Sequence, residues 1–278
     1  MGVMLAASCM IAWGVSVGSA EEGQAGLRLE WKDRMLRIYS ARIPTGQLEV
    51  WYLEAYCRRG STHRDWSETI IPFGSKLVAV NPEATRLQIE DHLEPGVGVL
   101  HNVQAGEDEV HFEVTLRNLT DQPQDVEWAQ PCIRVGAFTG LDQEAYIRRC
   151  FIFTEAGLTT LDRTRRTEEA RYHGGQVYVP KGIDQADVNP RPISPNVPVH
   201  NLIGCFSADG QLLLAMTWDH VQELFQGVVT CIHADLHIGG LKPRETKTIR
   251  GKLYLLKNRP EELLARYRRD FRAADAHR

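Results

Sequence analysis

EVHFEVTLRNL, residues 109–119, alternates apolar and polar side chains with a period of two. A strand sends successive side chains to opposite faces. Val110, Phe112, Val114 and Leu116 therefore share one face, with His111, Glu113 and Thr115 on the other. The phrase recurs. QLEVWYLEAYC (47–57) places Leu48, Val50, Tyr52, Glu54 and Tyr56 together, and QLLLAMTWD, after the turn Ala208-Asp209-Gly210, places Leu212, Leu214, Met216 and Trp218 together. TKTIRGKLYLL, after the turn Leu241–Glu245, gives Ile249, Leu253 and Leu255. Helical spacing is clear once, in EELLARYRRDF, where Leu263, Leu264, Tyr267 and Phe271 form a stripe, Asn258 is the expected cap and Pro260 lies in the first turn. WSETIIPF is too short for a helix and is stopped by Pro72. Many strands without alternating helices specify an all-β, antiparallel sandwich or barrel with a C-terminal helix.

The first 20 residues stand outside this pattern. MGVMLAASCMIAWGVSVGSA has no charged side chain and ends in Gly18-Ser19-Ala20 before EEGQ. It reads as a signal peptide cut after Ala20, which places the mature protein in the periplasm or outside the cell. Residues 21–278 are then read as one β-sandwich domain. Export leaves Cys57, Cys132, Cys150, Cys205 and Cys231, an odd number whose pairing one sequence does not reveal. The net charge of −4 and the absence of a run of like charges argue against nucleic acid, or a membrane after signal cleavage, as the main partner. Between 180 and 198, PKGIDQADVNPRPISPNVP holds five of the 13 prolines. Proline fixes φ and removes a hydrogen-bond donor, so this segment is expected to be a stiff loop crossing a sheet face.

Chemistry concentrates at CIHADLHIGG, residues 231–240. As a strand, it turns Ile232, Ala234, Leu236 and Ile238 inward and Cys231, His233, Asp235 and His237 to the opposite face. Neighbours on one face lie roughly 7 Å apart, so the four cannot all reach one ion at zinc-ligand distances of about 2.0–2.3 Å. A metal would need two of them and further ligands such as His101, His173, His200 or His220. Two other readings stand beside that one: a solvated strand face, and a substrate site where a histidine and a carboxylate move protons. Just upstream, Glu223 sits between apolar neighbours in WDHVQELFQG, a setting that raises a carboxyl pKa. RRGSTHRDWSE supplies Arg58, His63, Asp65 and Trp66, and DVNPRP supplies Asn189 and Arg191 on the stiff loop. Arg forks and a Trp face suit hydroxyl-rich ligands.

Several signatures are missing: GxSxG, GxxxxGK[ST], HExxH and CxxC. No cofactor is expected and no metal is assigned. Asn118-Leu119-Thr120 matches a glycosylation sequon, a pattern common by chance.

VHFEVTLRNLTDQPQDVEW and GGLKPRETKTIRGKLYLL resemble the strand–turn–strand phrases of galactose-mutarotase-like β-supersandwich proteins, with Arg244 where glycine is usual. The resemblance is architectural and spans most of the mature chain. It implies a supersandwich fold and, for catalysis, a histidine acid with a late glutamate base. Glu223 is that glutamate, with His233 or His200 as the acid and Asp235 orienting His233. Arg58, His63, Asp65, Trp66, Asn189, Arg191 and His237 would hold the ligand. The function expected is carbohydrate binding, with mutarotase- or epimerase-type chemistry as its catalytic form. The alternatives are a non-catalytic binding or structural sandwich and a His/Asp metal-binding protein. The partner is a carbohydrate or another polar small molecule, and the oligomeric state is open.

Overall fold

The computed structural model describes residues 26–168 and 175–271. The leader and His173 lie outside the described residues. Among the described residues sixteen strands form two sheets. The seven-stranded sheet runs β1 (Arg28–Lys32), β2 (Met35–Tyr39), β3 (Gln47–Cys57), β8 (Trp128–Arg134), β15 (Cys231–His237), β14 (Val221–Gln226) and β11 (Gln176–Tyr178). In the nine-stranded sheet the order is β10 (Gly157–Thr160), β9 (Cys150–Thr154), β12 (His200–Phe206), β13 (Leu212–Trp218), β16 (Thr246–Lys257), β7 (Glu109–Asn118), β6 (Val97–Ala105), β5 (Arg86–Leu93) and β4 (Phe73–Val80). Neighbouring strands pair antiparallel throughout. The all-β sandwich expected from the alternation is what forms.

The inward faces are the ones read from the sequence. Val110, Phe112, Val114 and Leu116 from β7 meet Ile232, Ala234, Leu236 and Ile238, from β15 and the residue after it, in one buried cluster. Trp218 links the two sheets: it lies on β13, and its indole N–H donates to the Ala234 carbonyl on β15 at 2.7 Å. Gly251 makes room for that indole, since a Cβ there would sit 2.2 Å from the ring. A polar knot also joins the layers. His101 lies between the hydroxyls of Tyr52 and Tyr56 at 2.9 and 3.0 Å and beside Asp91 at 3.1 Å, all of them buried. Such a group is tolerable in a core because both ring nitrogens, both hydroxyls and one Asp91 oxygen find partners.

The outer face of the nine-stranded sheet is covered in its middle by the C-terminal helix, Pro260–Asp270. Leu263, Tyr267 and Phe271 bury against Leu213, Ala215, Tyr254 and Leu256, the side of β13 and β16 that faces away from the sandwich. Leu264 packs at the rim of this cluster. Arg259, not Asn258, occupies the cap position. Asn258 instead donates its side-chain N–H to the Gly210 carbonyl at 2.8 Å, which ties the helix entry to the β12–β13 turn. Among the described residues no helix is long and apolar enough to cross a membrane.

Asn118 is fully buried. Its amide donates to the carbonyls of Gln122 and Lys242 at 2.7 and 2.9 Å, so the sequon is a turn-closing device with no side chain free to carry a glycan.

Candidate functional site

The β14–β15 hairpin sets the site. Its register places Glu223 opposite Asp235 and Phe225 opposite His233. Antiparallel partners on one face bring their side chains together, so Glu223 and Asp235 meet, with His233 next along the same face of β15. His233 Nδ1 lies 3.6 Å from Asp235 Oδ1, and its Nε2 lies 3.3 Å from Cys231 Sγ. From the other side, β8 continues the register with Gln130 beside Asp235 and Cys132 beside His233. Gln130 donates to Glu54 at 3.2 Å.

This face is not solvated, which corrects one expectation. Glu223 and Asp235 are 0% exposed and His233 is 1% exposed. The cover is the proline-rich segment, which lies across the face as its composition suggested. Asn189 N–H donates to Glu223 Oε2 at 2.8 Å, and Gln222 Nε2 donates to the Asp187 carbonyl at 3.0 Å. Val188 joins Val177, Val179 and Phe225 in a small apolar cluster above His233, whose ring meets Phe225 edge-on at 5.1 Å. The loop is pinned from the far side by residues 60–62. Gly60 N–H donates to Asp187, Ser61 Oγ to the Val188 carbonyl at 2.7 Å, and Thr62 Oγ1 to the Ala186 carbonyl at 2.9 Å.

Burial dominates the electrostatics. It pushes Glu223 well above the ordinary carboxyl range, reinforced by the Asp235 charge. Asp235 is itself raised to about 6 by burial, held from going further by His233. Asp235 accepts no hydrogen bond from an amide or hydroxyl group; what it faces are the His233 ring and the Glu223 carboxyl. A proton retained on Glu223 gives the pair its missing donor. Burial opposes a charged His233, but Cys132 and Asp235 outweigh it and hold its pKa well above the ordinary imidazole value.

Other residues singled out from the sequence lie elsewhere. His200 is on β12 of the other sheet, edge-on to Phe153 and Tyr267, so it shares no cleft with Glu223 and His233. Arg58 is a local tie, donating to the carbonyls of Glu68 and Ile70 at 3.1 and 2.7 Å. His63, Asp65 and Trp66 are exposed, with Trp66 tilted over the buried Trp128 at 6.3 Å. Asn189 acts through its backbone on Glu223, while Arg191 is exposed. Of the three residues expected to grip one ligand, Arg58 is thus committed to main-chain carbonyls, while Trp66 and Arg191 are exposed.

His237 does reach a cavity. A cleft of about 710 Å³ opens where the two sheets meet the proline-rich segment, lined by Lys181, Asn196, Asn201, Asp219, His220 and His237 among others. Asp219 is committed to Arg250, which contacts it twice at 3.1 Å. Burial and the nearby His220, Lys247 and Arg59 charges pull His237 down to about 4, with Asp187 opposing. His237 is therefore neutral near pH 7. Its Nδ1 meets Gln222 Oε1, an acceptor, so Nδ1 carries the hydrogen and Nε2 is left as an acceptor. Lysine and asparagine donors line the same cleft, together with the apolar rings of Pro180, Pro195 and Pro198. Sequence reasoning missed this cleft because its residues come from five separated segments with no common motif.

No protein-family model matches the chain, and no curated protein matches it. Solved structures do. A galactose mutarotase-like protein from Lactobacillus casei is similar at 7% identity and a TM-score of 0.45, over 83% of this chain and 100% of that one. Galactose 1-epimerase from Lactobacillus acidophilus is similar at 8% identity and a TM-score of 0.37, over 84% and 98%. An alpha-mannosidase from Enterococcus faecalis matches 90% of this chain with 30% of its own length, at 10% identity and a TM-score of 0.49. Each likeness is remote, at 10% identity or less; what the described residues themselves form is a two-sheet antiparallel β-sandwich.

Proposed function

We propose that the protein binds a neutral carbohydrate, or a comparable polyol, in the cleft beside His237. The observation that carries this reading is the lining. A neutral imidazole acceptor, amide and ammonium donors and proline rings line one open volume of about 710 Å³. Sugars present hydroxyls to such donors and acceptors, and C–H faces to an apolar wall. Calorimetry against a panel of monosaccharides and short oligosaccharides tests it. Binding that falls at least tenfold in both His237→Ala and Asn201→Ala supports the reading. Unchanged affinity in both variants overturns it.

A second reading is favoured by the convergence of Glu223, Asp235 and His233, which carries the residue types of sugar acid/base chemistry. Catalysis by that cluster requires the proline-rich segment to lift from Glu223. Polarimetry on fresh α-galactose and α-glucose separates the two. The binding reading expects the buffer rate, and an acceleration abolished by Glu223→Gln would replace it with the enzymatic one. We also infer export, on the strength of the uncharged leader ending at Ala20. N-terminal sequencing of protein recovered outside the cytoplasm should begin at Glu21.

A further inference from the structure

We propose that Cys132, Cys231 and His233 form a buried site for one thiophilic d10 cation, Zn(II) or Cu(I), with Asp235 as the group that orients His233. The argument begins with the strand register. Cys231 and His233 are two apart on β15 and share its outer face, while Cys132 projects beside them from β8. One sulfur or nitrogen from each residue lies within 4.8 Å of the other two. Cys231 Sγ and His233 Nε2 are 3.3 Å apart. Metal–sulfur bonds of about 2.3 Å and metal–nitrogen bonds of about 2.0–2.1 Å at a tetrahedral centre put donor atoms about 3.5–3.8 Å apart. The existing spacing needs only small side-chain adjustment to reach it.

Two independent features point the same way. His233 Nδ1 and both Asp235 oxygens are buried, and none makes a hydrogen bond to an amide or hydroxyl group. Nδ1 nevertheless points at Asp235 Oδ1, 3.6 Å away. A metal on Nε2 fixes the proton on Nδ1 and turns this contact into the carboxylate–histidine–metal arrangement that orients metal-binding imidazoles. The second feature is Gly227. A Cβ there would lie 2.1 Å from Cys231 Sγ, so the bare glycine gives the sulfur its room. Thiolate and imidazole donors select soft or borderline cations over Mg(II) or Ca(II). Loading is a simple exchange: each thiol and the imidazolium Nε2 gives up one proton as its lone pair binds the cation, three protons leave to solvent, and no electron is transferred. This site is separate from the sugar cleft, and its test does not depend on that reading.

The test is metal binding by the whole mature protein, prepared reduced and metal-free. Zn(II) and Co(II) are added in one arm, and Cu(I) under anaerobic reductant in the other, each against a competing chelator. The expected result is one equivalent bound in at least one arm, with thiolate-to-metal charge-transfer absorption for Co(II) or Cu(I). Binding should be lost in Cys132→Ser and Cys231→Ser, and kept in Cys57→Ser and Cys205→Ser. Asp235→Asn should weaken affinity by about 10–100-fold while keeping the absorption band, as for other outer partners of a ligating histidine. If the serine variants misfold, the wild type still decides: protection of two thiols from alkylation by bound metal supports the site. Stoichiometry near zero in both arms, or binding retained in the folded Cys132→Ser and Cys231→Ser proteins, overturns it.

Discussion

Replacing Glu223 with glutamine should stabilise the metal-free protein at alkaline pH, and replacing it with alanine should not. In the folded state Glu223 is fully buried, accepts the Asn189 N–H at 2.8 Å and faces Asp235. Glutamine keeps the first contact through its amide oxygen and offers Asp235 an N–H in place of the carboxyl proton. Because the folded pKa is raised, the native protein holds a proton that the unfolded chain releases above the ordinary value of 4.5. The stability linked to that proton is full below this value and is lost as pH rises, by up to about 1.4 kcal/mol per pH unit. Glutamine removes the slope. Alanine leaves the Asn189 N–H buried without an acceptor, at about 1–3 kcal/mol, and leaves a cavity besides, for a total loss of about 3–4 kcal/mol. Urea denaturation of the three proteins from pH 5 to 8, with chelator present, measures this. The wild-type deficit relative to Glu223→Gln should grow with pH. A difference that is flat in pH, or a glutamine variant as unstable as alanine at pH 8, would refute the neutral buried carboxyl.

Three further outcomes follow from features of the fold. Gly251→Ala drives a Cβ to 2.2 Å from the Trp218 ring and should cost about 3 kcal/mol, with shifted tryptophan fluorescence; wild-type stability would mean that the indole has room to move. Asn118→Ala removes two hydrogen bonds from a buried amide to turn carbonyls and should cost about 2 kcal/mol in chemical denaturation, while wild-type protein made in a glycosylating host should carry no sugar there by mass spectrometry. His237, held near 4, stays neutral from pH 8 to 5, so its share of cleft affinity should be flat across that range. The stability tied to its neutral form is complete above the ordinary 6.5 and lost as pH falls towards 4, at about 1–2 kcal/mol after allowing for its partial exposure. His220, Lys247, Arg59, Asp187 and Glu127 surround it, so the control is the same titration in His237→Gln.

The strands were legible because alternation is a local property. Val110 to Leu116 and Ile232 to Ile238 declare their inward faces without reference to any other segment. Burial of the opposite faces was not legible. Leu213 and Tyr254 are covered by a helix from the chain's end, and His233 and Asp235 by a loop some 45 residues upstream, and neither cover leaves a trace in the covered strand. A polar alternate face reads as wet until something is placed over it. The site was half legible for the same reason. Glu223 and Asp235 lie close in sequence and one hairpin joins them, whereas Cys132 meets Cys231 only through the pairing of β8 with β15. Irregular pairing also blurred β3: the five residues from Trp51 to Ala55 oppose the three from Cys132 to Gln130, so strict alternation fails past Tyr52.

The loop over the sealed cluster is held differently from the sheets. Its contacts with residues 60–62 and with Gln222 and Glu223 are separate hydrogen bonds and one small apolar cluster, with no continuous ladder. Segments held this way open at a lower free energy than the whole molecule. The Asn189 amide, bonded to Glu223, and the Ser194 amide, bonded to the Val177 carbonyl, should therefore exchange with solvent as one group, ahead of the amides of β7 and β16. Each opening wets Glu223 and lets it ionise, so the frequency of opening rises with pH. The cluster beneath is thus reached by the release of one strap while the sandwich stays intact, and the acidity of a single carboxyl sets how often that happens.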